Sequence, residues 1–207
     1  YLDCFITVER THIELKYMTL ATNPLLSGDF RIPFNRIRAE HVEPGIIQAL
    51  KEAQAEVDQL TADTSQPTWE NTIGPLEAIS VQLSERIAPP THMVTVSETT
   101  ELRKAYNAVL PEISAFWSSL PLNASLWQRV KIYAETEQAA QLIGVEKRHL
   151  RKTLQDFIRS GADLRKNEKK ELMELKIELA QLEQKFSENV LDATAEYEFT
   201  VTDEGRL

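Results

Sequence analysis

One cysteine, Cys4, stands in the 207 residues of this chain. That excludes a disulfide framework and a Cys-rich zinc cluster, and it fits a reducing compartment. Glycine is scarce, at six residues, while 27% of the chain is charged. Such a composition disfavours turn-rich β structure and points to helices. No apolar run approaches the roughly 20 residues that a bilayer-spanning helix needs. No basic head, apolar core and small-residue cleavage site marks a secretory leader either, so a cytoplasmic protein with no membrane partner is expected. Positive charge is also short. Lys and Arg number 23 against 32 Asp and Glu, a formal net charge of −9. A nucleic-acid partner is excluded on that ground, because phosphate binding needs a clustered basic surface. The densest basic run, Lys147-Arg148 to Arg151-Lys152, lies on an amphipathic helical pattern with acids nearby and reads as a solvated face.

Chemistry-bearing motifs are equally sparse. The four histidines, His12, His41, His92 and His149, never form H-E-x-x-H. In that motif two imidazoles one helical turn apart grip zinc and the glutamate activates water. There is no glycine-rich phosphate loop and no G-x-S-x-G nucleophile elbow. Cys4 lacks a basic neighbour that would make it a nucleophile. Two Glu-x-x-His pairs occur, Glu146–His149 and Glu9–His12; a di-iron bundle would need two such pairs converging with two further glutamates, and surface pairing is the reading preferred. Glu40-His41-Val42-Glu43 precedes a helix, where acids favour the dipole without catalysis. Trp69, Trp117 and Trp127 have aliphatic neighbours at helical spacing and are expected in the core. No catalytic, cofactor-binding or metal residue is therefore assigned.

What the chain does contain is helical periodicity. Residues 1–17 mix residue types without a clear period and are expected to be an upstream extension or leader; Met18 looks like a natural start. Asn23 to Glu43 reads as an extended arm anchored by Leu25, Leu26, Phe30, Phe34 and Ile37. Pro44 then suits the first turn of a helix, with Ile46, Ile47, Leu50, Ala53, Val57 and Leu60 on one face. Thr68 caps a helix at Trp69, interrupted at Gly74-Pro75 by a kink or restart and ending towards Pro89-Pro90. Ser97 caps a third helix, which Pro111 should kink. Asn123 caps a fourth, and a fifth runs from about Val145 to Ser160 with Gly161 as its stop. The sixth opens at Asn167 and is the most regular. Leu172, Leu175, Leu179, Leu182 and Phe186 recur three and four apart, a heptad-like seam that continues through Asn189 and Ala193. An amide on such a seam needs a polar partner and usually fixes a register. Tyr197, Phe199 and Val201 then alternate like the start of a strand.

Several segments, taken in order, resemble the start of the thimet oligopeptidase family of zinc metallopeptidases. They are Asn23-Pro24-Leu25-Leu26; Ile37 with Glu40-His41-Val42-Glu43-Pro44; Pro67-Thr68-Trp69-Glu70-Asn71-Thr72 and Pro75-Leu76-Glu77; Glu101 to Asn107 with Leu110-Pro111; Asp156-Phe157 with Ser160-Gly161-Ala162; and Phe186 to Thr194. Any one is weak; the ordered set over 18–207 is specific. The resemblance implies a mainly helical, two-lobed enzyme with a deep channel that cleaves short peptides and excludes folded proteins. It implies zinc held by the histidines of H-E-x-x-H and a further glutamate, none of which has a counterpart in this chain. Residues 18–207 are thus expected to be an all-α N-terminal region that walls the channel, lacks the zinc site, and is covered by a catalytic domain. The alternative is a free-standing helical module that binds a partner through its long seam.

Overall fold

The computed structural model describes residues 22–28 and 30–198. The expected leader at 1–17 lies outside them, with Cys4, His12 and the Glu9–His12 pair. A 3-10 turn, Pro24–Leu26, leads to helix α1, Ala39–Ala62. A π turn, Trp69–Ile73, runs into α2, Gly74–Val96. Then follow α3, Thr100–Leu122; α4, Ala124–Ala134; α5, Glu137–Gln141; α6, Gly144–Arg159; and α7, Lys166–Ala195. The architecture is all-α, with no strand among the described residues. Of the expected strand start, Phe199 and Val201 lie outside the described residues, and Tyr197 is exposed just past α7.

Helix α1 is the centre. Val42, Ile46, Ala49, Ala53, Val57 and Leu60 recur three and four apart and are all buried. That stripe packs against α2 and α3, with α4 alongside and α6 set against α3 and α4. Ile79 and Leu83 from α2, Val109 and Phe116 from α3, and Leu126, Val130 and Tyr133 from α4 complete one continuous core. Ile47, expected on the same face of α1, is 47% exposed. Of the tryptophans, Trp127 is buried and stacks on Phe157, while Trp69 and Trp117 are half-buried.

Helix ends follow local chemistry where a side chain can reach the backbone. Thr68 Oγ1 accepts the Asn71 N–H at 3.3 Å, and Asn71 Oδ1 accepts the Thr68 N–H at 2.7 Å. This reciprocal box starts the π turn, and α2 begins at Gly74 with Pro75 in its first turn, which is the expected restart. Asn123 Oδ1 accepts the N–H groups of Ser125 and Leu126, both at 3.0 Å. Gly161 closes α6 with φ +98°, where a Cβ would sit 2.6 Å from Leu172 Cδ2.

Four boundaries differ from expectation. α1 starts five residues before Pro44, because His41 Nδ1 accepts the Arg38 N–H at 3.0 Å and caps the helix there. α2 runs through Pro89-Pro90 to Val96: both rings are buried, and that burial offsets the hydrogen bonds they cannot donate. Thr91 Oγ1, 2.8 Å from both the Ile87 carbonyl oxygen and the Tyr106 hydroxyl, ties this stretch to α3. The cap of α3 is Thr99, whose Oγ1 accepts the Leu102 N–H at 3.2 Å; Ser97 ends α2 instead. Finally, α5 has its own cap in Thr136 and was not anticipated.

The seam read on α7 lies open on the surface. The main neighbour of α7 is α3. The face turned towards α3 carries Met173, Ile177, Ala180, Gln184, Glu188 and Leu191, all part-buried. The leucine seam read from the sequence points the other way. Leu175, Leu179 and Leu182 are each more than half exposed, Phe186 is 70% exposed, and Asn189 is exposed beside them. α7 is amphipathic on two sides, and tertiary contact with α3 selected the more polar one.

Candidate functional site

Polar side chains converge most clearly where α3 meets α7. Arg103 and Asn107, one turn apart on α3, face Glu188 and Asp192, one turn apart on α7. Arg103 Nη1 donates to Asp192 Oδ1 at 2.9 Å, and Asn107 Nδ2 donates to Glu188 Oε1. Gln184 Nε2 donates to the same Glu188 oxygen at 3.0 Å. Arg103 Nε also donates to Glu98, just before α3. The hydrogen bonds from Glu98 and then Asp192 raise the Arg103 pKa above its ordinary value, so the guanidinium is a fixed cation. These are register-setting contacts: two charge-bearing turns hold a long, thinly buried helix in one position on its neighbour.

A second constellation joins the arm to α1. Asn23, 3% exposed, accepts the Leu25 N–H through Oδ1 at 3.0 Å and donates Nδ2 to the His41 carbonyl at 2.8 Å. Gly45 makes the approach feasible, since a Cβ there would stand 2.8 Å from Asn23 Nδ2 and 3.2 Å from Leu25 Cδ1. The Asn23–Leu26 and Glu40–Pro44 segments are therefore halves of one contact. Sequence reading missed a third device, Arg129, which sits within the apolar stripe of α4. Its guanidinium donates to Asp63 Oδ2 at 2.5 Å and to the carbonyls of Ser65 and Asn71, both at 3.3 Å, pinning the loop before the π turn. A cation between Leu126 and Val130 on a buried face was the available signal. Hydrogen bonds from the Ser65 hydroxyl and N–H lower the Asp63 pKa, and Arg129 lowers it further.

The remaining candidates are dispersed. His149 Nε2 lies 3.5 Å from Glu77 Oε2 of α2, in an open groove of about 460 Å³ floored by Trp117, Leu120 and Phe157. Its carboxylate neighbour is thus Glu77, across the helices. The His149 ring also meets the edge of Trp69, 5.8 Å away. His92 packs edge-on to Phe34 at 6.3 Å. Lys147, Arg148, Arg151 and Lys152 are all exposed on α6. Among the described residues no three His, Cys, Asp or Glu side chains come close enough to hold a metal ion. These described residues do not fit a zinc site. Among the same residues no helix is long and apolar enough to cross a membrane.

The described residues are all-helical outside their turns and loops, and their conspicuous polar clusters fix packing. Residues 46–170 match the family profile described as Neurolysin/Thimet oligopeptidase, N-terminal domain. The chain belongs to this family. Over 186 residues it is 32% identical to Oligopeptidase A of Escherichia coli (strain K12), covering 90% of this chain and 27% of that protein. It is 34% identical over 189 residues to Probable cytosolic oligopeptidase A of Arabidopsis thaliana, covering 91% of this chain and 27% of that protein. A more distant similarity, 27% over 180 residues, is to Dipeptidyl carboxypeptidase of Salmonella typhimurium, at 84% and 26% coverage. The chain thus spans about a quarter of the length of these curated relatives.

Proposed function

We propose that this chain is the N-terminal helical part of a cytoplasmic zinc metalloendopeptidase that hydrolyses short peptides, and that it walls the substrate channel without contributing catalytic or zinc-binding residues. The observation that carries the reading is the match to the N-terminal domain of an oligopeptidase family over residues 46–170. Relatives named oligopeptidase A support the substrate class. The packing of the chain supports a scaffolding part: its marker segments meet as buried or clamped contacts, in the Asn23–His41 bond and the Arg103–Asp192 pair. Three long helices packed side by side, α1, α2 and α3, give a stiff surface, and a stiff wall limits substrates by size through steric exclusion. In this reading zinc and its general base come from a catalytic domain that packs on this segment.

The second reading is a free-standing helical interaction module, favoured by the exposed apolar stripe of α7. Reading the coding sequence past Leu207 separates the two. An in-frame H-E-x-x-H several hundred residues on supports the peptidase; an in-frame stop soon after Leu207 supports the module.

A further inference from the structure

Leu175, Leu179, Leu182, Phe186 and Val190 form a continuous stripe along the outer side of α7, exposed by between 48% and 70%. None of the 30 residues of α7 is fully buried. A helix of that length held only along one mixed, part-buried face, with a leucine stripe opposite, is half of a packing arrangement. The three-and-four spacing of the stripe matches the grooves of another helix rather than a flat sheet or a small ligand.

Building on the peptidase reading, we propose that this stripe is the seat of an amphipathic helix from the catalytic portion of the same enzyme, with a hydrogen-bonding side chain opposite Asn189. The relatives supply the length for such a helix, since this chain spans only 27% of the Escherichia coli protein. Charge and polarity specify it further. One edge of the stripe carries Lys176 and Glu183, and the other carries Glu178 and Lys185, so the incoming helix needs alternating charges of opposite sense on its two flanks. Asn189 lies in the seam one turn past Phe186 and needs a polar partner once covered. An antiparallel second copy of this chain would match these flank charges, Lys176 with Glu183 and Glu178 with Lys185 of the copy, but it leaves Asn189 without a polar partner. Run antiparallel, with Leu179 facing Leu182 of the copy, the seam puts Asn189 opposite Leu172, which is already packed against Gly161. Run parallel, it sets Glu178 against Glu183 of the copy.

The test grafts residues 18–207 into Escherichia coli oligopeptidase A in place of its matched segment, with and without Leu179→Glu and Phe186→Glu, alongside the same substitutions in the isolated chain. In the isolated chain both substitutions leave helicity and melting temperature unchanged, because the sites are exposed, and they reduce binding of a hydrophobic dye. In the graft they lower the melting temperature and reduce short-peptide turnover about tenfold or more, the cost of forcing charge into an apolar contact. An unsubstituted graft that folds cooperatively yet turns over no short peptide overturns the peptidase reading itself. An active graft that tolerates both substitutions overturns only the docking proposal. So does a stable dimer of the isolated chain that Leu179→Glu dissociates, which would give the stripe to a second copy.

Discussion

Gly45→Ala separates helix propensity from tertiary contact, because the two act with opposite sign at that position. Gly45 lies inside α1, where replacing glycine by alanine ordinarily gains about 1 kcal/mol. Here the new Cβ would stand 2.8 Å from Asn23 Nδ2, 3.2 Å from Asn23 Oδ1 and 3.2 Å from Leu25 Cδ1. Asn23 cannot retreat without breaking its 2.8 Å bond to the His41 carbonyl, and Leu25 is 6% exposed and has little room. Losing that hydrogen bond costs about 1 kcal/mol. Loosening Leu25 costs part of the roughly 2 kcal/mol its burial contributes. The sum exceeds the helical gain, so Gly45→Ala alone should destabilise by about 1 kcal/mol. In an Asn23→Ala background the nearest obstacle is gone and the Leu25 contact remains, so the same substitution should be close to neutral. Urea denaturation of the four proteins of this cycle measures both numbers and their coupling, about 1 kcal/mol. A Gly45→Ala chain that is more stable than its parent while Asn23 is intact refutes the argument.

Other outcomes follow from the same contacts. Leu126, fully buried in α4, should cost about 2–5 kcal/mol when cut to alanine, read as a lower denaturation midpoint. Gly161→Ala should destabilise in calorimetry, since φ +98° disfavours an L side chain and the Cβ would meet Leu172 and Leu164. Asp192→Ala should speed hydrogen exchange in the C-terminal half of α7 and leave the α1 core unchanged, because its partner Arg103 lies on α3. Burial raises the Glu52 pKa, but hydrogen bonds from Gln48 and Arg86, with the Arg86 charge, outweigh it and the net shift is downward. The stability from Glu52 is therefore present above the unfolded carboxylate pKa and lost as pH falls through the lower folded value. Glu52→Gln should be less stable than the parent near neutrality, and that gap should close in acid below the usual glutamate range.

Much of the helix order was legible because capping is local. Thr68, Asn123 and Gly161 act within three residues of themselves, and each works as its sequence context implies. What was not legible depended on distant partners. Pro89-Pro90 read as a stop, yet the core around them keeps the helix intact. The three-and-four rhythm of α7 was correctly helical, but a rhythm does not say which side meets the neighbour. That side was settled by Arg103 and Asn107, about 80 residues earlier in the chain. Asn189 is consequently exposed on the outer seam. The polar clusters were legible only as family markers. Their pairing across the fold, Asn23 with His41 and Arg103 with Asp192, could not be read from spacing alone.

In the proposed reading this chain is a scaffold for peptidase chemistry performed elsewhere in the enzyme. The direct measurement incubates the purified 207-residue chain with zinc, removes unbound metal, and assays bound zinc together with cleavage of a fluorogenic short peptide. No retained zinc and no turnover are expected. Stoichiometric zinc accompanied by peptide hydrolysis would contradict that reading.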